Sequence, residues 1–212
     1  MNYNNTKKLL SFIYRFFLPD HLGRVGLNNY CNMDKNLLVF LIKKLNLKSI
    51  LDVGCANGAM VEVMKDLGLK AYGIDGDFMA IKFLSNKNIR KSLNIHDYKN
   101  GNSRLTFSVD LIWSIEFLEH VEKKYLHYIL QDFQKFTSYV VISTPPPNSP
   151  GYHHVNCQNS DYWIKRFQAH GFKFLNDLTN QARIASKMSD RGICVDYFKK
   201  NGLIFKNIND TG

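Results

Sequence analysis

The stretch 49-SILDVGCANGAMVEVMKDLG-68 constrains the fold more than any other part of the sequence. It predicts a buried strand, a turn with two glycines and an amphipathic helix. A strand followed by a crossover helix indicates a parallel sheet, and ligands of such sheets bind beyond the carboxyl ends of the strands. The turn from Asp52 to Gly58 is therefore the first candidate for a binding site.

Apolar runs of strand length alternate with helical periodicity along the rest of the chain. The predicted strands are 49–53, 70–74, 91–95, 108–115, 139–143, 172–176 and 203–207, and the predicted helices are 34–46, 59–67, 77–85, 122–136 and 160–170. The stretch between 177 and about 198 gives no clear pattern. The alternation predicts an α/β fold, an open sheet with helices on both faces. Residues 1–48 are expected to form an N-terminal helical cover segment, and residues 49–212 a single globular domain.

The formal net charge of +10, from 28 basic and 18 acidic side chains, favours an anionic partner such as nucleic acid. Lysine is spread along the whole chain, however, and no long run of like charges marks a polybasic tail. The charge by itself leaves the partner open.

The four cysteines are widely separated and form no C-x-x-C pair, which argues against a zinc knuckle and a redox motif. Free thiols in a reducing compartment are expected, and the predicted location is cytoplasmic. The apolar segment 9–17 predicts a helix that packs against the domain, with peripheral membrane contact or a partner subunit as alternatives. It is too short to span a bilayer. The oligomeric state is open.

The spacing of the glycines discriminates between ligands. A dinucleotide fingerprint would require glycines at 54, 56 and 59, but positions 56 and 59 are alanine. A P-loop would require a lysine after Gly58, and none is present. Both phosphate-binding patterns are therefore absent from the turn.

The turn resembles the acidic-x-Gly-x-Gly-x-Gly loop of class I S-adenosylmethionine-dependent methyltransferases, with Ala56 in place of the middle glycine. Asp75 follows about twenty residues after Gly54, at the end of a strand, where a carboxylate can bind ribose hydroxyls. Asp97, in 94-NIHDY-98, matches the family position near the adenine amino group, although Asn94, His96 or Tyr98 could supply that contact. The segment 110-DLIWSIEFLEHV-121 resembles the family's fourth strand and the turn after it.

The resemblance implies a doubly wound, mostly parallel seven-stranded sheet that binds S-adenosyl-L-methionine. It also implies a set of cofactor contacts in the turns after the first four strands. These are Asp52, Gly54, Cys55, Ala56, Gly58, Asp75, Gly76, Asp97 and Ser114.

Two branches of the family are disfavoured by local chemistry. Nucleic-acid amino-methyltransferases carry an Asp/Asn-Pro-Pro-aromatic turn after the fourth strand, where this chain has Ser114-Ile-Glu116-Phe117. Cytosine-C5 enzymes need a nucleophilic cysteine in the same region, and none is present. The prolines of 144-TPPPN-148 follow the fifth strand and predict a stiff loop.

The segment 116-EFLEH-120 predicts a catalytic or metal site. In a helix, Glu116, Glu119 and His120 would share one face and could hold a divalent cation such as Mg²⁺. The segment is similar to that of ubiquinone-pathway O-methyltransferases and of small-RNA 3′-terminal 2′-O-methyltransferases, in which Glu, Glu and His bind a metal. His153 or His154 would complete such a site. Without a metal, His154, His153 or His120 would be the general base.

The leading hypothesis is O-methylation of a small hydroxylated metabolite or sugar. Methylation of the 2′-oxygen of an RNA end is an alternative that the charge favours and the lack of an RNA-binding module disfavours. A non-catalytic cofactor-binding partner subunit is the third hypothesis. The identity of the acceptor does not follow from the sequence.

Overall fold

The computed structural model describes residues 19–22, 32–190 and 193–209. The strands in these residues are β1 (Ser49–Val53), β2 (Lys70–Asp75), β3 (Leu93–Ile95), β4 (Val109–Ile115), β5 (Thr137–Ser143), β6 (Phe172–Phe174), β7 (Ser189–Asp190), β8 (Ile193–Cys194) and β9 (Leu203–Asn207). The α-helices are α1 (Lys35–Leu45), α2 (Ala59–Asp66), α3 (Leu126–Phe136), α4 (Ser160–Gln168), α5 (Asn176–Ala185) and α6 (Tyr197–Asn201). The predicted helix at 9–17 lies outside the described residues.

Seven strands form one sheet in the order β3-β2-β1-β4-β5-β9-β6, and β7 pairs with β8 in a small separate hairpin. Strands β1 to β5 are parallel, whereas β9 is antiparallel to both of its neighbours. The sheet changes direction between β1 and β4, which pair side by side although β2 and β3 lie between them in sequence. The predicted doubly wound, mostly parallel seven-stranded sheet is confirmed.

Alternate side chains of the central strands enter two separate apolar layers. Leu111 and Trp113 face the layer formed with α1, α2, α5 and α6, whereas Ile112 faces the layer formed with α3 and α4. Burial on both faces explains why the central strands read as continuous apolar runs. Helix α1 belongs to the first layer through Leu37, Leu38 and Leu41, which are fully buried.

The predicted helix at 77–85 is wrong in type. Asp77 caps this segment by accepting the backbone N–H groups of Met79 (2.8 Å) and Ala80 (3.0 Å). The segment then winds into a π-helical turn, Ala80–Leu84, because the Ser85 N–H donates to the Ala80 carbonyl (3.0 Å). That bond spans five residues, whereas an α-helical bond spans four.

Other helix boundaries also differ from the predicted ones. Helix α3 begins at Leu126, after a 3₁₀ turn at Lys123–Tyr125, rather than at 122. The unassigned stretch after 177 contains most of α5, the β7–β8 hairpin and the start of α6. None of the helices in the described ranges has the length and apolarity needed to cross a bilayer.

Candidate functional site

A cavity of about 190 Å³ lies beyond the carboxyl ends of β1, β2 and β4. The first turn contributes Asp52, Gly54 and Ala56, and the second contributes Asp75 and Gly76. This is the position at which ligands bind in open α/β sheets, where the sheet changes direction.

The first turn is built from alternating left-handed residues. Gly54 (φ 85°), Ala56 (φ 48°) and Gly58 (φ 79°) all have positive φ. The Gly54 N–H donates to the Ile74 carbonyl (2.9 Å), which ties the turn to β2. A side chain at Gly54 would overlap the Phe117 ring, so glycine serves both the backbone angle and the close packing here. Ala56 also has a left-handed backbone conformation, which costs a residue with a Cβ atom roughly 1 kcal/mol of conformational energy.

Asp75 joins the first turn to the second. Its Oδ2 accepts the Ala56 N–H (2.8 Å) and its Oδ1 accepts the Asp77 N–H (2.7 Å). Burial raises the pKa of Asp75 to about 6, against the lowering effect of these hydrogen bonds. Burial, and then the charge of Asp75, raise the pKa of Asp52 well above its ordinary value. A ligand with a positive group would relieve this concentration of negative charge.

Asp97 lies on the cavity wall beyond β3, and its carboxylate already has two partners. Its Oδ1 accepts the backbone N–H of Lys99 (2.9 Å), and its Oδ2 lies 2.8 Å from His21 Nε2. The other ring nitrogen of His21 lies 2.9 Å from Lys99 Nζ. His21 and Leu22 therefore also line the cavity.

Three of the residues predicted to contact the cofactor are not part of the cavity lining. Cys55 is fully buried, with its side chain against Gly73. Gly58 is the N-cap of α2, where a side chain would meet Leu93. Ser114 is fully buried within β4. These three residues lie behind the cavity wall, in the turn and the strand, whereas Gly76 lines the cavity.

The segment Glu116–His120 is not one helical face. Glu116 has a left-handed backbone (φ 52°), and only Leu118–His120 forms a turn, of the 3₁₀ type. The Glu116 N–H donates to the Ser143 carbonyl (2.9 Å), and its Oε1 accepts the Ser143 hydroxyl (2.7 Å). These bonds to β5 hold Glu116 apart from the positions that a helix would have given it.

The structure instead brings together Glu119, His120 and His154, each of which offers a ligand atom within 4.8 Å of the others. His120 Nε2 lies 3.7 Å from Glu119 Oε1, and the rings of His120 and His154 are 5.0 Å apart. Glu119 is almost completely buried, and its Oε2 has no hydrogen-bond partner. His120 lines the cavity, so the cluster borders it.

Burial shifts the pKa values of Glu119 and His120 in the directions that favour the neutral form of each side chain. The pKa of Glu119 is raised well above its ordinary value by burial and then by the charge of Glu116. The pKa of His120 is lowered to about 4, by burial and then by His154. The His120 ring is therefore neutral at pH 7.

The loop that carries the two histidines is fastened to the turn after β4. The Glu119 carbonyl accepts the N–H groups of Val155 (3.0 Å) and Asn156 (2.9 Å). A side chain at Gly151 would overlap the His154 ring, and His154 Nδ1 lies 3.2 Å from the Ser149 carbonyl. The loop is thus held by backbone contacts that place His154 beside Glu119.

A family model for a methyltransferase domain matches residues 27–180, more than half of the 212 residues. The chain belongs to this methyltransferase-domain family. No curated protein matches the sequence.

Solved structures of class I S-adenosylmethionine-dependent methyltransferases share the fold of this methyltransferase-family chain. Magnesium protoporphyrin IX methyltransferase from Synechocystis PCC 6803, with bound S-adenosylhomocysteine, has a TM-score of 0.57 at 14% identity, covering 81% of this chain and 80% of that one. A proposed RNA methyltransferase from Pyrococcus horikoshii has a TM-score of 0.53 at 16% identity, covering 98% of both chains. TehB from Haemophilus influenzae has a TM-score of 0.50 at 20% identity. The match covers 65% of this chain and half of the TehB chain.

Several residues of the candidate site were missed by sequence reasoning. His21 and Lys99 reach the cavity wall, Phe117 packs on Gly54, and Asn156 fastens the histidine loop. Phe117 lies within the segment Glu116–His120, so the sequence did indicate that this part of the chain borders the site. The contact of His21 with Asp97 joins residues 76 positions apart and had no local signal.

Proposed function

We propose that this methyltransferase-family chain transfers the methyl group of S-adenosylmethionine to an oxygen of a small hydroxylated molecule, such as a sugar. The observation that supports this reaction is a neutral imidazole, His120, beside a buried carboxylate at the edge of the cavity that also contains Asp52 and Asp75. A base in the same cavity as the cofactor can accept the proton that a hydroxyl loses when it is methylated.

The proposed cofactor fits the charge and shape of the first turn. The left-handed turn at Gly54 and Ala56 exposes backbone to the cavity, which suits close approach of the amino-acid portion of the cofactor. Asp52 would face its ammonium group, and this partner would lower the raised pKa of the carboxyl. The lone pairs of Asp75 that are not used by Ala56 and Asp77 would accept the ribose hydroxyls.

When bound, the cofactor would supply a methyl group on a sulfonium sulfur. The acceptor oxygen would bond to the methyl carbon as the carbon–sulfur bond breaks, which would leave S-adenosylhomocysteine, and the hydroxyl would lose its proton. His120 would take that proton from the hydroxyl. The ring is neutral at pH 7 and so has a nitrogen free to accept, and the imidazolium that forms would favour the ionised form of Glu119, whose Oε1 lies 3.7 Å away. Holding both reactants in one cavity would supply most of the acceleration. His154 and His153 would position the acceptor from the loop.

Glu119, His120 and His154 also fit a divalent cation. Ligand atoms around one ion lie at most about 4.4 Å apart, since each bond is roughly 2.0–2.2 Å long. The three groups are within 4.8 Å of one another, and the buried Glu119 Oε2 has no other partner, so a small contraction would create the site. A cation held there would bind the acceptor hydroxyl and lower its pKa. Glu116, whose Oε1 accepts the Ser143 hydroxyl, is not one of these three groups.

The proposal is tested with radiolabelled S-adenosylmethionine and a metabolite extract, with and without RNase and with and without a chelator. We expect a labelled small product that survives RNase. Indifference to the chelator would remove the cation from the site and leave His120 as the base. Binding of the cofactor without any labelled product from a broad set of extracts would favour the non-catalytic partner subunit.

An RNA end is the second candidate acceptor. It is supported by two lysines beside aromatic rings near the cavity: Lys124 Nζ lies 4.9 Å from the ring centre of Tyr125, which lines the cavity, and Lys123 Nζ lies 5.6 Å from that of Tyr162. Cations and aromatic rings together are typical of single-stranded nucleic-acid sites. Fluorescence anisotropy at low salt should show tight RNA binding that Lys123→Ala weakens and Lys35→Ala, on an exposed position of α1, leaves unchanged. Weak binding at low salt would eliminate this candidate.

A further inference from the structure

The turn Asp20–Leu22 crosses one end of the cavity, far in sequence from every strand end that forms the rest of it. The Leu22 N–H donates to the Pro19 carbonyl (3.0 Å), which closes the turn on itself. His21 and Leu22 are both only partly exposed and both line the cavity wall next to Gly76 and Asp97. We refer to His21 and Leu22 as the strap.

Leu22 occupies space that Gly76 leaves free. A Cβ atom at Gly76 would lie 2.5 Å from Leu22 Cδ2, so the leucine packs directly on the glycine that follows Asp75. An aromatic base bound next to a ribose needs apolar surface against its face, and glycine supplies none. Leu22 offers that surface from outside the domain's strand ends.

The hydrogen-bond chemistry of His21 determines its tautomer. The Lys99 ammonium can only donate, so His21 Nδ1, 2.9 Å away, must accept. The neutral ring therefore carries its hydrogen on Nε2, which donates to Asp97 Oδ2 at 2.8 Å. The backbone N–H of Lys99 donates to Asp97 Oδ1 at 2.9 Å. Both oxygens of the Asp97 carboxylate are therefore held, and their remaining lone pairs keep one orientation.

The same contacts connect the strap to the other half of the cavity. Lys99 Nζ lies 3.4 Å from Glu122 Oε1 in the segment after β4, and the rings of His21 and His153 are 6.3 Å apart. The strap thus lies between the segment after β3, which contains Asp97 and Lys99, and the loop that contains His153.

We infer that the strap completes the adenine subsite, with Leu22 as a binding residue against the base and His21 as a positioning residue that orients Asp97 toward the base edge. This inference rests on the proposed cofactor. Adenine presents a donor amino group to a carboxylate, whereas hypoxanthine presents a carbonyl oxygen that a carboxylate repels. The strap therefore contributes to the preference for an adenine nucleoside.

The test compares two nucleoside ligands, S-adenosylhomocysteine and S-inosylhomocysteine, by calorimetry. Leu22→Ala should weaken both by a similar factor, about fivefold, because it removes apolar contact that both bases share. His21→Ala should weaken the adenosyl ligand about tenfold and the inosyl ligand less, which reduces the preference. His21→Gln retains an N–H donor and should restore the preference.

The controls separate this inference from the proposed function. Ile184→Ala, at a position on α5 that is 83% exposed, should change neither affinity. If Asp75→Ala abolishes binding but both strap variants bind both ligands like the wild type, the strap has no role and the cofactor proposal stands. Equal weakening of both ligands by His21→Ala, or no rescue by His21→Gln, would contradict the positioning role. Failure of the wild type to bind S-adenosylhomocysteine would overturn the proposed function itself.

Discussion

The two ends of the cavity are built in different ways. The proposed cofactor end consists of strand ends and tight turns, in which Asp75 accepts backbone N–H groups from Ala56 and Asp77. The proposed acceptor end consists of side chains from separate segments, in which Glu119 and His154 meet because a loop is fastened across the turn after β4. The first end is held by backbone hydrogen bonds, whereas the second contains an unpaired buried carboxylate oxygen.

The comparison teaches where each function of the site resides. An end whose groups are held by backbone hydrogen bonds is suited to bind one fixed ligand, since the groups are already oriented. An unsatisfied buried group costs stability and persists where a ligand, a proton or an ion completes it. We therefore expect changes at the first end to alter cofactor affinity and changes at the second to alter turnover.

The largest expected effect is at the acceptor end. His120→Ala should lower turnover by about 10²–10⁴-fold, because it removes the proposed base or cation ligand. The affinity for S-adenosylmethionine should stay within about twofold in calorimetry, since His120 is not among the proposed cofactor contacts. His127→Ala, which removes an exposed histidine on α3 that does not line the cavity, is the matched control. A loss of cofactor affinity as large as the loss of turnover would break the distinction between the two ends.

At the cofactor end, Asp75→Ala should weaken S-adenosylmethionine binding about 100-fold or more. It removes the proposed acceptor of two ribose hydroxyls and frees the Ala56 N–H, with each charged hydrogen bond worth about 1.5–3 kcal/mol. Asp66→Ala removes an exposed carboxylate at the end of α2 and should have no effect. Undiminished binding to the Asp75 variant would remove the cofactor from this end.

Two glycines with the same backbone angle separate strain from packing. Gly54 and Gly68 both have φ 85°, but a Cβ at Gly68 meets nothing within 4 Å, whereas one at Gly54 meets the Phe117 ring. Gly68→Ala should cost roughly 1 kcal/mol of unfolding free energy, and Gly54→Ala about 1–3 kcal/mol more. Denaturant titration measures both. Equal losses would mean that Phe117 moves aside freely.

The smallest expected effect is on the pH dependence of stability, and it has opposite signs at the two ends. Asp75 has a folded pKa of about 6 against an ordinary 3.8, so between these values the folded state binds more protons, and Asp75 favours folding as the pH falls. His120 has a folded pKa of about 4 against 6.5, so the unfolded state binds more protons, and His120 opposes folding as the pH falls. Between pH 7 and 5, Asp75→Asn should therefore lose about 1 kcal/mol more stability than the wild type, and His120→Gln about 2 kcal/mol less. Chemical denaturation of the cofactor-free protein at both pH values is the measurement, and shifts of the same sign would contradict the assignment.

Much of the fold was predictable because its signals are local. The apolar run at Ser49–Val53, the turn after it and the helix that follows lie within twenty residues, and the structure has them where the sequence predicted. The π-helical turn at Ala80–Leu84 was not predictable, since the apolar spacing of a short helix does not distinguish it from an α-helix. The predicted site residues remain predictions, although the structure lines one cavity with Asp52, Asp75 and Asp97.

The sequence by itself determined that this chain forms a parallel α/β sheet with carboxylates at its strand ends, because strand, turn and helix patterns depend on neighbouring residues. Only the tertiary structure decided that His154 joins Glu119 and His120 in one cluster, and that His21 contacts Asp97. Those pairings depend on the left-handed backbone at Glu116, on its bond to Ser143 and on the course of a loop and a strap over the sheet. Contacts between distant segments follow from packing in three dimensions, for which the order of residues carries no local signal.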